Sequence, residues 1–206
     1  MAPLTAALLL RAVKHAGAKR GDVIALSAAG GLVARVMSTL LLAEGYVPLG
    51  IVRSEQAAAV LARQTPQMDF VSTEQADWAK RIFPVTKGKP IKVALDPVGG
   101  KVASALALML ADGGTLVSYG DLSAAPIEVP ALSFSTRGIS IQGVSVGRWP
   151  ALPDEVRAAD IAMAIQLAQA EPDLFRVAAE YTLDRITDAV THAERPGKDG
   201  AVLLVD

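Results

Sequence analysis

Short apolar runs alternate with longer helix-patterned stretches along almost all of this 206-residue chain, and no other feature narrows its possible folds as much. That alternation is the sequence form of repeated βαβ units around a mostly parallel sheet. Helices are predicted over 5–16, from Gly31 to about Glu44, and over 55–63, 73–82, 101–110, 153–170 and 184–194. Strands are predicted at 23–27, 47–52, 70–71, 91–95, 115–119, 138–146 and 201–205, with short extended stretches at 127–129 and 179–183. The 91–95 run is continuously apolar, as suits a strand covered on both faces. Pro48 stands where the second strand begins; lacking an N–H, it places the first paired residue at or after itself. The expected fold is α/β: a doubly wound (Rossmann) sheet of six strands flanked by helices, plus a short C-terminal strand–helix–strand tail.

Composition matters mainly for what it removes. The chain has no Cys and two His, His15 and His192, which excludes disulfides, thiol nucleophiles, thiolate zinc sites and a His-rich metal centre within it. A net charge of −1 gives no general attraction to nucleic acid or to an anionic membrane. The apolar segment 4–10 is too short to span a bilayer, and its basic residues, Arg11 and Lys14, follow it instead of preceding it as in a secretory signal. The expectation is a cytoplasmic protein.

The first strand runs into Ala28-Ala29-Gly30-Gly31-Leu32-Val33. A strand, a small-residue turn and a helix make a cradle for a pyrophosphate, because the helix start leaves N–H groups unpaired and carries partial positive charge. Against the G-x-G-x-x-G fingerprint only the middle glycine is kept, as Gly30; Ala28 and Val33 replace the others. By pattern alone the stretch also reads as an ordinary loop. The second strand, however, ends at the expected spacing, and there Arg53-Ser54 stands in place of the acidic residue that would bind a ribose 2′-hydroxyl. A guanidinium beside a hydroxyl suits a 2′-phosphate and points to NADPH, the alternative being a solvated arginine. The missing acidic residue also counts against an adenosyl site of the methyltransferase kind.

Several stretches together resemble the zinc-free branch of the medium-chain dehydrogenase/reductase superfamily, nearest to quinone oxidoreductases and 2-enoyl thioester (enoyl-acyl) reductases. They are Pro3-Leu4-Thr5-Ala6-Ala7, Ser27-Ala28-Ala29-Gly30-Gly31, Val52-Arg53-Ser54-Glu55, Ala94-Leu95-Asp96-Pro97-Val98-Gly99-Gly100-Lys101 and Asp112-Gly113-Gly114-Thr115-Leu116-Val117-Ser118-Tyr119-Gly120. The stretch 138–149 and the ending from Ala193-Glu194-Arg195 to Val202-Leu203-Leu204 fit as well. The resemblance implies that Gly30, Gly31 and Leu32 face the pyrophosphate through backbone N–H groups, and that Arg53 and Ser54 meet the 2′-phosphate. It implies that Val98 and Gly99 line the cofactor cleft, Tyr119 and Gly120 lie near its adenosine or nicotinamide side, and Val144 and Ser145 lie near the nicotinamide amide. Tyr119 could equally cap the core with its ring. Val33 and Ala201 depart from the family pattern, at the third glycine and at a basic position before the last strand.

The resemblance divides the chain into a dinucleotide-binding domain, 1–172, and a segment, 173–206, of an otherwise missing catalytic (GroES-like) domain. It implies an NADPH-dependent reductase of a quinone or an enoyl thioester, not catalytic by itself. An excised part of a longer reductase is favoured over a stand-alone protein, because tail strands without their sheet expose edges. No independent catalytic residue is found: His15 and His192 read as surface residues, and Asp96 and Asp121 as ribose contacts or turn caps. The alternative is a degenerate Rossmann module serving assembly. The 138–146 strand, expected at a sheet edge, suits pairing with a second copy, hence a homodimer.

Overall fold

The computed structural model describes residues 1–195 and 200–206. The part of the ending resemblance that crosses 196–199 lies outside the described residues. The chain divides into two units, Met1–Pro153 and Asp154–Asp206.

The first unit runs α1 (Ala2–His15), β1 (Val23–Leu26), α2 (Leu32–Ala43), β2 (Val47–Val52), α3 (Glu55–Gln64), β3 (Asp69–Ser72), α4 (Ile82–Val85), β4 (Ile91–Asp96), α5 (Gly100–Leu108), β5 (Leu110–Ser118), α6 (Ala131–Arg137) and β6 (Ser140–Gly143). Short 3-10 turns lie at Trp78–Arg81 and Val146–Ala151. Its six strands form one sheet in the order β3-β2-β1-β4-β5-β6, every pair parallel. This is the doubly wound order, in which the chain leaves β1 toward one edge and returns to β4 to build toward the other.

Side chains alternate across the pleat, so the buried residues sort into two faces. Val23, Ala25, Leu49, Ile51, Val71, Ala94 and Leu116 pack with Ala103, Leu106 and Ala107 of α5 and with Trp78 and Ile82. Ile24, Leu26, Val93, Leu95 and Val117 occupy the alternate positions and are fully or almost fully buried. Both faces of the central strands are therefore covered. That explains why they carry unbroken apolar runs and not an apolar–polar alternation.

Four sequence expectations change. Pro48 lies inside β2, one residue after its start, not ahead of it. Val47 N–H donates to Asp22 O on the β1 side, so the missing donor of Pro48 faces the β3 side, where pairing begins only at Leu49. The helix expected over 73–82 is replaced by bends and the two short turns from Trp78 to Val85. Glu74 is drawn away from helix geometry at both ends: its N–H donates to Ser72 Oγ (3.1 Å) and its carboxylate accepts from Glu55 N (2.9 Å).

The helix expected to reach 110 stops at Leu108, and β5 begins at Leu110. Leu110 pairs with Ile91, the next pair is Val93 with Thr115, and the extra β5 residues bulge out between them. Lys92 Nζ holds the bulge through Gly113 O (2.9 Å). Arg137 donates to Leu108 O (2.9 Å) and Leu110 O, placing a cation on the carbonyl end of α5. Finally, β6 is shorter than 138–146. The left-handed Gly138 ends the unforeseen α6, and Ser145 caps the following 3-10 turn. β6 does occupy the sheet edge.

The second unit contains α7 (Asp154–Ala170), β7 (Val177–Thr182), α8 (Ile186–Glu194) and β8 (Ala201–Val205). β7 and β8 pair in parallel through α8, which is the expected strand–helix–strand tail. Tyr181 ties α8 to β7: its hydroxyl lies 3.1 Å from His192 Nδ1, and the Arg185 guanidinium lies over its ring.

Candidate cofactor site

In an open parallel sheet the loops after the strands meet at the C-terminal ends, and the crevice opens where the connections diverge, here between β1 and β4. All the expected site residues fall at those ends: Gly30, Gly31 and Leu32 after β1, Arg53 and Ser54 after β2, Val98 and Gly99 after β4, Tyr119 and Gly120 after β5, and Val144 and Ser145 after β6. Residues far apart in sequence thus share one rim because every strand points the same way.

The β1 turn is anchored at both shoulders. Ala29 N–H donates to Ile51 O (3.1 Å) and Gly31 N–H to Ala28 O (2.9 Å), while Ala28 takes a left-handed φ of 49°. Gly31 is the N-cap of α2, and the first intrahelical bond runs from Arg35 N to Gly31 O (3.0 Å). The N–H groups of Leu32, Val33 and Ala34 therefore have no acceptor within the helix. No side chain caps this end, and no acidic residue lies in its first turn. Of the three residues expected to face a pyrophosphate, Gly31 has its N–H engaged in the turn, and the open donors lie just beyond it in α2.

The start of α3 is the opposite case. Ser54 Oγ accepts from Ala57 N (3.2 Å), Glu74 Oε2 accepts from Glu55 N, and Glu55 itself pairs with Arg81. The Arg81 guanidinium holds the Glu55 carboxyl below the usual carboxylate range. Arg53 is exposed and has no ion pair among the described residues.

Behind the crevice lies a buried polar knot. Ser27 Oγ, at the end of β1, donates to Asp96 Oδ1 at the end of β4, and both residues are almost completely excluded from solvent. Asp96 Oδ2 accepts from Gly99 N (2.7 Å) and Val98 N (3.1 Å). Asp96 is thus a turn cap. Burial pushes its carboxyl above the ordinary range, and the bonds from Ser27, Gly99 and Val98 recover only part of that shift.

Gly99, at φ +77°, holds a backbone conformation that side chains rarely adopt, and an added Cβ would be in tight contact, 3.1 Å from Asp121 Oδ1 and 3.2 Å from Ser123 Oγ. That closeness follows from a loop folded onto the turn, with Leu122 N bonded to Pro97 O (3.0 Å), Ser123 N to Val98 O (2.8 Å) and Gly100 N to Ala125 O (3.1 Å). Tyr119 N–H donates to Asp96 O (3.0 Å). Its half-buried phenol is shifted upward, first by burial and then by the Asp96 charge. At the far edge Val144 N donates to Ser118 O (2.8 Å), and Ser145 Oγ accepts from Gly147 N (3.2 Å).

Sequence reasoning named neither the Ser27–Asp96 bridge nor the Glu74 contact. Only the capping half of the first had a local signal, since an Asp three residues before a Gly after a strand is a common turn-capping pattern, and nothing local marks Ser27 as its partner. The second had none. Among the described residues no group of acidic, His or Cys side chains could hold a metal ion, and no helix is long and apolar enough to cross a membrane.

Residues 36–169 match the zinc-binding dehydrogenase family. The chain is 31% identical over 150 residues to the mitochondrial enoyl-[acyl-carrier-protein] reductase of Dictyostelium discoideum, a match covering 71% of this chain and 42% of that protein. Its backbone superposes on a mycobacterial quinone oxidoreductase with a TM-score of 0.83 at 22% identity, covering 100% of this chain and 62% of the other. A mycobacterial structure complexed with NADPH gives 0.82 at 22% identity, with 100% and 62% covered. The chain spans less than half the length of the curated relative it matches.

Proposed function

Because the chain belongs to the zinc-binding dehydrogenase family, within the medium-chain dehydrogenase/reductase superfamily, we propose that it is the NADPH-binding part of a zinc-independent reductase acting on a quinone or an enoyl thioester. The observation that carries the reading is the contrast between two helix starts on one rim. The α2 start has no capping side chain and no carboxylate, so its dipole and N–H groups remain available to an anion. The guanidinium of Arg53, which has no ion pair among the described residues, stands at the end of the neighbouring strand.

In this reading the N–H groups that open α2 hold the pyrophosphate, with Gly30 and Gly31 allowing close approach. Arg53 and the Ser54 hydroxyl meet the 2′-phosphate. Val98 and Gly99 wall the crevice, with Tyr119, Gly120, Val144 and Ser145 on the nicotinamide side. When bound, the nicotinamide supplies the hydride. The chain's own task is to hold it in a water-poor cleft at a fixed angle, and the Ser27–Asp96 bridge serves that task by locking two walls of the cleft together. Zinc independence is carried over from the resemblance to quinone oxidoreductases and enoyl thioester reductases. The acceptor class is supported by the relatives, an enoyl reductase and a quinone oxidoreductase.

We assign 1–172 to the coenzyme domain and 173–206 to a catalytic domain whose remainder lies outside this sequence, so this chain is not catalytic alone. Support comes from the two-stranded β7–β8 sheet with Val177, Leu203 and Leu204 exposed, too small a sheet to be stable by itself. A homodimer through β6 is supported by its open edge and the exposed Ile141. Cytoplasmic residence is also a proposal, and the curated relative is named as mitochondrial.

The test is titration with NADPH and NADH, followed by nicotinamide fluorescence. The wild type is expected to prefer NADPH, and Arg53→Ala to erase the preference, a loss of roughly tenfold for a charge-assisted phosphate contact. The second reading, a degenerate module that binds no dinucleotide, is favoured by Val33 at the third glycine position and by the engaged Gly31 N–H. A flat titration with both coenzymes would establish it.

A further inference from the structure

Beside the start of α3, which follows β2, lies a charge that the coenzyme reading does not use. Glu74 follows β3, yet its carboxylate reaches the first N–H of α3, with Oε2 2.9 Å from Glu55 N. Its own N–H is held by Ser72 Oγ (3.1 Å), and Ser72 is completely buried, so the approach is built into the backbone. Glu74 has no ion-pair partner among the described residues, whereas its neighbour Glu55 is neutralised by Arg81. The positive end of α3 therefore faces an unpaired carboxylate, and its other local acceptor is Ser54 Oγ on Ala57 N.

An anion arriving beside Arg53 and Ser54 would otherwise gain from these N–H groups and from the helix dipole. Here the donors of Glu55 and Ala57 are already engaged, and the arriving group meets a like charge at short range. A ribose 2′-hydroxyl, being neutral, meets no such repulsion. We propose that Glu74 is a specificity-determining residue: lodged at the start of α3, it opposes a 2′-phosphate and lowers the preference for NADPH over NADH that Arg53 creates. The inference rests on the assignment of Arg53 to the 2′-phosphate. It adds that the coenzyme choice is a balance between a cation on β2 and an anion delivered from β3.

The test is titration of the full chain with NADPH and with NADH for wild type, Arg53→Ala, Glu74→Gln and the double variant. Glutamine keeps an acceptor for Glu55 N–H and removes only the charge, so the α3 cap survives. Glu74→Gln is expected to tighten NADPH roughly three- to tenfold and to leave NADH unchanged. The gain should shrink at high salt, as suits repulsion between solvent-exposed like charges. An unchanged NADPH affinity overturns the inference. So does an equal shift for both coenzymes, which would show a capping role only, or a loss of NADH binding alone, which would make Glu74 a ribose ligand. If Arg53→Ala erases the preference and Glu74→Gln does nothing, the inference fails and the Arg53 assignment stands. If Arg53→Ala leaves the preference intact, or neither coenzyme binds any variant, the assignment fails and the inference falls with it.

Discussion

Replacing Asp96 with Ala tests whether the polar knot holds the crevice walls together. The substitution removes the acceptor for the Ser27 hydroxyl and for two turn N–H groups, those of Val98 and Gly99. Ser27 and Gly99 are buried and Val98 is half-buried, so two donors lose their partner outright and the third can turn to water. At about 1–3 kcal/mol per stranded buried donor the gross loss is about 2–6 kcal/mol. Removing a carboxylate that burial disfavours returns part of it, leaving a net loss of about 1–4 kcal/mol, or a fall in Tm of roughly 3–15 °C for a chain of this size.

Asp96→Asn is the control. Its amide oxygen can accept the two N–H bonds and its NH2 can donate to Ser27 Oγ, so its stability should lie within about 1 kcal/mol of wild type. The two variants also separate by pH. The folded carboxyl is shifted upward, so the folded state binds the proton more tightly than the unfolded chain. The Asp96 contribution is therefore most favourable below the unfolded value of about 4, and it declines as pH rises from there through the raised folded value. Asp96→Asn should flatten that decline. Urea melts at a series of pH values read both effects. An Asp96→Ala loss below about 0.5 kcal/mol, or an Asn variant as unstable as the Ala variant, would refute the reasoning.

Three further outcomes follow from local geometry. Gly50→Ala sets a Cβ 2.3 Å from the Phe70 ring and 2.9 Å from the Met68 methyl across the β2–β3 pair, so urea melts should show a loss of about 1–3 kcal/mol; no loss would mean that Phe70 swings aside freely. Ala28→Gly relieves a left-handed φ at the cradle, and the gain, partly offset by the added freedom of the unfolded chain, should be up to about 1 kcal/mol in the same assay, a clear loss being the contrary result. If β6 carries the dimer, Ile141→Lys, which puts a charge on that open edge, should halve the mass seen by light scattering, whereas a wild-type monomer at all concentrations would remove the premise.

Much of this architecture was legible from short-range pattern. An apolar run after a glycine located β8 at its observed limits and β2 to its observed end, and a strand–turn–helix sequence located the turn that opens α2. Parallel strands in βαβ order necessarily bring their C-terminal ends to one rim, so Arg53, Val98, Tyr119 and Val144 could be grouped without coordinates. Periodicity and turn chemistry are local, and they carry that much. What they do not carry is which partner a side chain meets across the sheet. Ser27 finds Asp96 69 residues away, and Glu74 reaches back 19 residues to α3, because strand order and register set those distances. The extra residues of β5 and the Pro48 position inside β2 have the same origin: each is tolerable only because a neighbouring strand starts where it does. The sequence by itself determined the fold class and the rim; the tertiary structure alone decided which charges face each other there, since register is a property of paired strands and not of either strand alone.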